Sequence, residues 1–161
     1  QQASKLAPKD AMAQLKMGMA YQGLGRQSDA EAAYKRSIAL DPKLALAYNN
    51  LAWMAADSRT QLGNAEQWAT KAVELAPGVA DFLDTLGWVY RAQAKYAQAE
   101  KPLQKATQLL PSAQFFYHLG VVYQEQSKMG EAEKAFRKSM SIQKDFSPSL
   151  KALAALKGSG R

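Results

Sequence analysis

Asp84-Thr85-Leu86-Gly87-Trp88-Val89-Tyr90, with Ala99, Leu103 and Pro111 after it, decides the fold because the chain keeps returning to it. Leu86-Gly87 has counterparts in Met17-Gly18, Leu51-Ala52 and Leu119-Gly120. Tyr21, Ala55, Tyr90 and Tyr123 each follow such a pair by the same step, and Ala30, Ala65, Ala99 and Ala132 come later in each unit. Pro8, Pro42, Pro77 and Pro111 stand 34, 35 and 34 residues apart. A period near 34 predicts stacked helical hairpins, none of which can bury its apolar face alone.

The first unit, residues 11–44, shows how one hairpin is written. Met12, Leu15, Met19 and Ala20 sit among Ala13, Met17 and Tyr21, so apolar side chains cover most of the first helix and predict burial on more than one side. Gly23-Leu24-Gly25-Arg26 breaks it, with Gly25 suited to a left-handed position. Ser28 or Asp29 is expected to cap the second helix, whose inward residues are Ala33, Tyr34, Ile38 and Ala39, and Asp41-Pro42 ends it. The second unit, 45–79, carries one extra residue between Asp57 and Asn64. The third, 80–112, has Pro102 inside its second helix, which predicts a kink or a late start. The fourth, 113–146, has Lys144 where the others have proline.

The ends follow the same register. Ala3, Leu6, Ala7 and Pro8 match Ser37, Leu40, Asp41 and Pro42, so residues 1–10 are expected to close a preceding repeat, and the chain to be a fragment of a longer solenoid. Residues 147–157 are expected to form a capping helix, and 158–161 a tail without structure.

These units resemble the tetratricopeptide repeat family across almost the whole chain. Small residues at Gly18, Ala52, Gly87 and Gly120 and aromatics at Tyr21, Tyr90 and Tyr123 carry the likeness, with Tyr34, Leu103 and Phe136 following the alanines. Ala55, Ala69 and Lys144 depart from the pattern. The resemblance implies an all-α fold, a right-handed superhelical solenoid of antiparallel helix hairpins. It also implies a concave groove, lined by the first helix of each hairpin, that holds a peptide or helix of another protein.

Carried over position by position, the groove receives Met12, Leu15, Met19, Leu46, Asn49, Asn50, Trp53, Asp84, Trp88, Arg91, Tyr117 and His118. Trp53 and Trp88 occupy the same register on adjacent repeats and are the expected anchors, since tryptophan is enriched at binding hot spots. Methionines supply adaptable apolar surface, and the two asparagines can bond an extended backbone. Trp68 falls on a second helix, away from that groove, as a structural residue or a minor patch. The lysine, asparagine and arginine clamp by which some family members grip an acidic C-terminal tail is absent: its positions hold Leu15, Met19, Asn50, Asp81 and Thr85.

Composition narrows the alternatives. The chain has 161 residues, no cysteine and a formal net charge of +7. Disulfide and thiol chemistry are thereby excluded, and no apolar run is long enough to span a bilayer. No phosphate-cradling glycine loop, zinc spacing or nucleophile motif appears, so no enzyme, cofactor, metal or small-molecule substrate is expected. Asp81, Asp84 and His118, the single histidine, form the one trio worth weighing, and it reads as a hydrogen-bonded patch in the groove. Residues 128–161 hold eight basic side chains against three acidic ones. That face offers an electrostatic alternative, an acidic protein or, less in keeping with the motifs, nucleic acid. Self-assembly through the solenoid ends is the other alternative.

A narrower resemblance attaches to Asn49-Asn50-Leu51-Ala52-Trp53 and Leu83-Asp84-Thr85-Leu86-Gly87-Trp88, which look like segments of bacterial repeat proteins encoded with exopolysaccharide and PEP-CTERM sorting systems. It implies a periplasmic or cell-envelope scaffold, the cytoplasm being the other compartment.

Overall fold

The computed structural model describes the backbone of residues 2–158 and the side chains of residues 10–156. Among the described residues the fold is all-α, with nine helices. They are α1 (Gln2–Gly23), α2 (Gln27–Leu40), α3 (Ala45–Ser58), α4 (Leu62–Leu75), α5 (Ala80–Ala92), α6 (Tyr96–Leu109), α7 (Ala113–Glu125), α8 (Met129–Ile142) and α9 (Ser147–Gly158). The chain forms two compact units, Gln1–Pro77 and Gly78–Arg161. In the first, α1 packs on α2, α2 on α3 and α3 on α4; in the second, α5 to α9 pack in the same serial order. No described helix is long and apolar enough to cross a membrane. The tail proposed for residues 158–161 lies, beyond the end of α9, outside the described residues.

Three of the four hairpins are closed by a small residue set against a large one. A methyl group on Gly18 would stand 2.5 Å from the Tyr34 ring, and one on Gly120 would stand 2.5 Å from Phe136. On Gly87 it would strike Leu103. The second hairpin solves the same problem differently: Ala52 and Ala69, at the corresponding positions, are both fully buried. The departure at Ala69 is thus matched by alanine in place of glycine at position 52, small against small.

The turns inside the hairpins share a backbone signature. Arg26, Thr60, Lys95 and Lys128 each donate an N–H to the carbonyl five residues back, on Tyr21, Ala55, Tyr90 and Tyr123, at 2.9 Å. The residue before each donor is left-handed: Gly25 (φ 71), Arg59 (φ 52), Ala94 (φ 58) and Ser127 (φ 60). This is the Schellman ending, and it satisfies carbonyls that a helix end leaves open. In three hairpins the donor also precedes the second helix directly. In the second, Gln61 is interposed with φ 48 and takes the position before α4. The extra residue expected between Asp57 and Asn64 is thus placed just after Thr60.

Four expectations change. Arg26, not Ser28 or Asp29, precedes α2, and no side chain caps it; Asp29 instead accepts from Arg26 Nε at 2.7 Å. The Schellman turn runs straight into the helix and leaves no residue in a capping conformation. α6 begins at Tyr96, well before Pro102, so the late start is ruled out and the proline lies inside the helix. α1 runs through Pro8 without the break placed at residues 10 and 11, because alanine, leucine and lysine flank it and no glycine interrupts them. Finally, α1 is not buried on several sides. Ala13, Met17, Ala20 and Leu24 are exposed, Leu24 at 72%. The corresponding residues of α7, Phe115, Leu119 and Val122, are buried, because α6 covers that face.

Serines that sequence reasoning passed over pin the helices together. Ser37 Oγ donates to the Ala11 carbonyl at 2.8 Å, and Ser139 Oγ to the Ala113 carbonyl at 2.7 Å. Ser149 Oγ reaches Ser139 Oγ at 2.7 Å and fixes α9 on α8. All three serines are fully buried.

Candidate functional site

In the second unit the first helices α5 and α7, together with α9, line an open recess of about 560 Å³. Arg91 of α5, Tyr117, Val121 and Gln124 of α7, and Lys151 and Ala155 of α9 line it. These side chains meet because residues four and three apart share one helix face, and α9 continues the register of α7. Arg91 and Tyr117 belong to the set expected from the sequence. Val121 holds the groove register of Met19, Trp53 and Trp88, as the repeat pattern places it. Gln124 and Lys151 were missed; the signal for them was the repeat register itself, extended into α9, which reads as a cap.

Behind this recess stands a buried pair. His118 Nδ1 lies 2.9 Å from both carboxylate oxygens of Asp84, with His118 4% and Asp84 3% exposed. A carboxylate only accepts, so Nδ1 donates. Trp88 stacks on the His118 ring at a centroid distance of 4.0 Å and an interplanar angle of 26°. The Arg91 guanidinium lies 4.4 Å from the Trp88 ring centre and donates to Glu125 Oε1 at 2.7 Å. Arg91 Nε is buried with no hydrogen-bond partner among the described residues. Tyr117 closes the cluster against His118, Phe136 and Phe146, with ring centres 5.8 to 5.9 Å apart.

The expected approach of His118 to Asp84 is therefore present, while Asp81 is exposed on the first turn of α5. No group of three metal-ligating side chains occurs among the described residues. The pair orients Trp88 and, through it, Arg91. Trp88 is only half-buried, and its stacking makes it a structural as well as a presenting residue.

In the first unit the expected residues separate by exposure. Met12 (40%), Met19 (49%) and Leu46 (38%) are exposed apolar surface, and Trp53 and Asn50 are half-buried. Leu15, placed on the groove floor by the sequence, is 2% exposed and belongs to the core with Ala30, Tyr34, Ala47 and Leu51. It faces the second helix of its own hairpin and supports the surface from below. Asn49 is 8% exposed; its Nδ2 is 3.5 Å from Asn50 Oδ1, and its own Oδ1 has no partner among the described residues.

Several charges outside the recess are paired. The Lys35 ammonium, with help from Gln61, holds the Glu31 carboxyl below the usual range. The Lys128 ammonium, 2.7 Å away, does the same for Glu100, and Gln126 and Gln104 add donors. Arg137 of the basic C-terminal segment is bound to Glu133 at 2.6 Å, so part of that face is neutralised. Because the folded pKa of Glu100 lies below 4.5, its pairing stabilises the fold above about pH 4.5 and loses that effect as pH falls through the lowered value. Glu100→Gln should accordingly lower Tm at pH 7. Thermal melts should show the gap closing at acid pH, since both proteins then carry a neutral side chain; a gap that persists at pH 2 removes the ion pair as its cause.

Two family models match the chain. One, described as Tetratricopeptide repeat, covers residues 15–80, and the other, described as Anaphase-promoting complex, cyclosome, subunit 3, covers residues 58–139. A TPR repeat-containing protein of Pseudomonas aeruginosa, PA4667, is 37% identical over 81 residues, half of this chain and 14% of that protein. The structure of Pseudomonas aeruginosa pilF superposes with a TM-score of 0.85 at 23% identity, covering 96% of this chain and 71% of that one. MamA from Desulfovibrio magneticus superposes with a TM-score of 0.75 at 22% identity, covering 86% and 78%. At these identities the two structures establish the fold alone. None of these relatives ties the chain to exopolysaccharide or PEP-CTERM systems.

Proposed function

We propose that this chain, which belongs to the tetratricopeptide repeat family, is a non-catalytic interaction scaffold that seats a peptide or helix of a partner protein on its first-helix surfaces. The observation that carries the reading is the recess on α5, α7 and α9. Its walls combine an apolar strip, Val121 and Ala155, with hydrogen-bonding and charged groups, Gln124, Arg91 and Lys151. That mixture suits a polypeptide: apolar side chains bury against the strip, while the polar rim fixes register and direction. Trp88 and the buried pair beneath it hold Arg91 in place before any partner arrives, which lowers the ordering cost of binding. In the first unit, Met12, Met19, Leu46, Asn50 and Trp53 provide a second surface of the same type.

Capture from a bacterial extract tests this. The parent chain and Val121→Arg, which fills the recess with a long charged side chain, serve as baits after their circular dichroism and melting have been matched. The parent should retain a partner that the variant loses by roughly tenfold or more, the scale of a well-packed contact. Equal retention by both would move the site off α7.

Self-association is the second reading, favoured by the exposed α1 face of Ala13, Met17, Ala20 and Leu24. Light scattering in which mass rises with concentration supports it, and a constant monomer mass removes it.

A further inference from the structure

A recess of about 230 Å³ opens within the first unit between α2, α3 and α4, and nothing in the reading above uses it. Glu31 of α2, Leu51, Met54 and Ala55 of α3, Gln61 just before α4, and Trp68 of α4 form its principal walls. The internal repeats explain why it exists. The other three hairpins carry tyrosine at the Ala55 position, namely Tyr21, Tyr90 and Tyr123.

In the fourth hairpin that ring is placed by its contacts. Tyr123 packs with Ala99 and Leu103 of α6, and its hydroxyl accepts from Gln104 Nε2 at 2.9 Å. The same Gln104 nitrogen donates to Glu100 Oε1 at 3.0 Å, so the phenol head sits beside that carboxylate. Two repeat units back, with Ala30 aligned on Ala99, Glu31 stands where Glu100 does and Ala55 where Tyr123 does. The first hairpin therefore keeps, on α2, the carboxylate that neighbours the phenol, while the second omits the phenol. Gln61, the extra residue of the second hairpin's turn, adds to the opening, and Trp68 supplies an aromatic wall.

We infer that this recess is a binding site for a single phenol ring supplied by a ligand, seated where the repeat's own tyrosine ring would lie. The volume admits such a ring, since a cavity of about 150 Å³ already takes benzene. Leu51, Met54 and Trp68 meet its faces and edge. Glu31 remains ionised at neutral pH, held low by Lys35 and Gln61. Both of those donors bind Glu31 Oε1, at 2.6 and 3.0 Å, which leaves Oε2 to accept the phenol hydroxyl. The ring comes either from a tyrosine of a partner or from a free small phenol; the chemistry at the wall is the same.

The test is a titration of the isotope-labelled chain with p-cresol, followed by the Trp68 indole and the Ala55 and Gln61 amide resonances. Saturable shifts confined to these groups are expected, with toluene binding more weakly because it lacks the hydroxyl. Ala55→Tyr should restore the repeat's own ring and weaken p-cresol by at least roughly tenfold, as a tethered competitor does. Ala55→Leu occupies the same space with less bulk and gives the same readout if the tyrosine variant fails to fold. Non-saturating shifts spread over all exposed aromatics, or affinity unchanged in whichever variant is folded, would overturn the site. N-acetyl-tyrosine-amide then separates the sources. Binding at least as tight as p-cresol assigns the site to a partner's tyrosine, and its exclusion beside p-cresol binding assigns it to a free phenol.

Discussion

Phe136→Ala should destabilise the second unit by about 3–5 kcal/mol. The ring is fully buried, lies within contact of Gly120, and packs beside Tyr117. Removing it leaves a void that the rigid helix pair can collapse only partly. Gly120→Ala alone should cost about 1–3 kcal/mol, because its methyl group meets that ring at 2.5 Å. The two changes together recreate the Ala52 and Ala69 pair of the second hairpin. The double variant should therefore lose less than the two single losses summed, and denaturant melts of all four proteins measure that coupling. Strict additivity would show that the small-against-large pairing is not what closes the hairpin.

His118→Ala should cost about 3–5 kcal/mol, because it leaves the Asp84 carboxylate buried without its donor. It also removes the ring on which Trp88 stacks. Asp84→Ala leaves only an unsatisfied imidazole N–H and should cost less, about 1–3 kcal/mol. The double variant should recover part of the His118→Ala loss, since no uncompensated charge remains. Chemical denaturation gives all three numbers. A loss below about 1 kcal/mol for His118→Ala would mean that solvent reaches Asp84 despite its burial. Either substitution should also weaken the partner that Val121→Arg releases, because Trp88 and Arg91 lose their support.

Much of this was legible along the chain. The 34-residue period, the glycine-against-aromatic pairs and the left-handed Gly25 follow from residue types alone, because backbone and steric rules act locally and recur in every unit. The meeting of Asp84 with His118 was also readable, since residues one repeat apart on first helices become neighbours once hairpins stack. Other features were not. Arg59, Ala94 and Ser127 adopt the left-handed turn without being glycine, because tertiary packing and the Schellman bonds outweigh their local preference.

The sequence by itself determined the helix order, the hairpin pairing and the resemblance to a repeat family, because a hydrophobic period needs no long-range information to be read. Only the tertiary structure decided which apolar residues are surface and which are core. Leu15 and Met19 look alike in the sequence, yet one is 2% and the other 49% exposed, because burial depends on what the neighbouring helix covers. The same holds for Ala55, which the sequence marks only as a departure from the aromatic of the other repeats. Its missing ring becomes a recess only because α2, α3 and α4 keep the walls that a tyrosine would have touched.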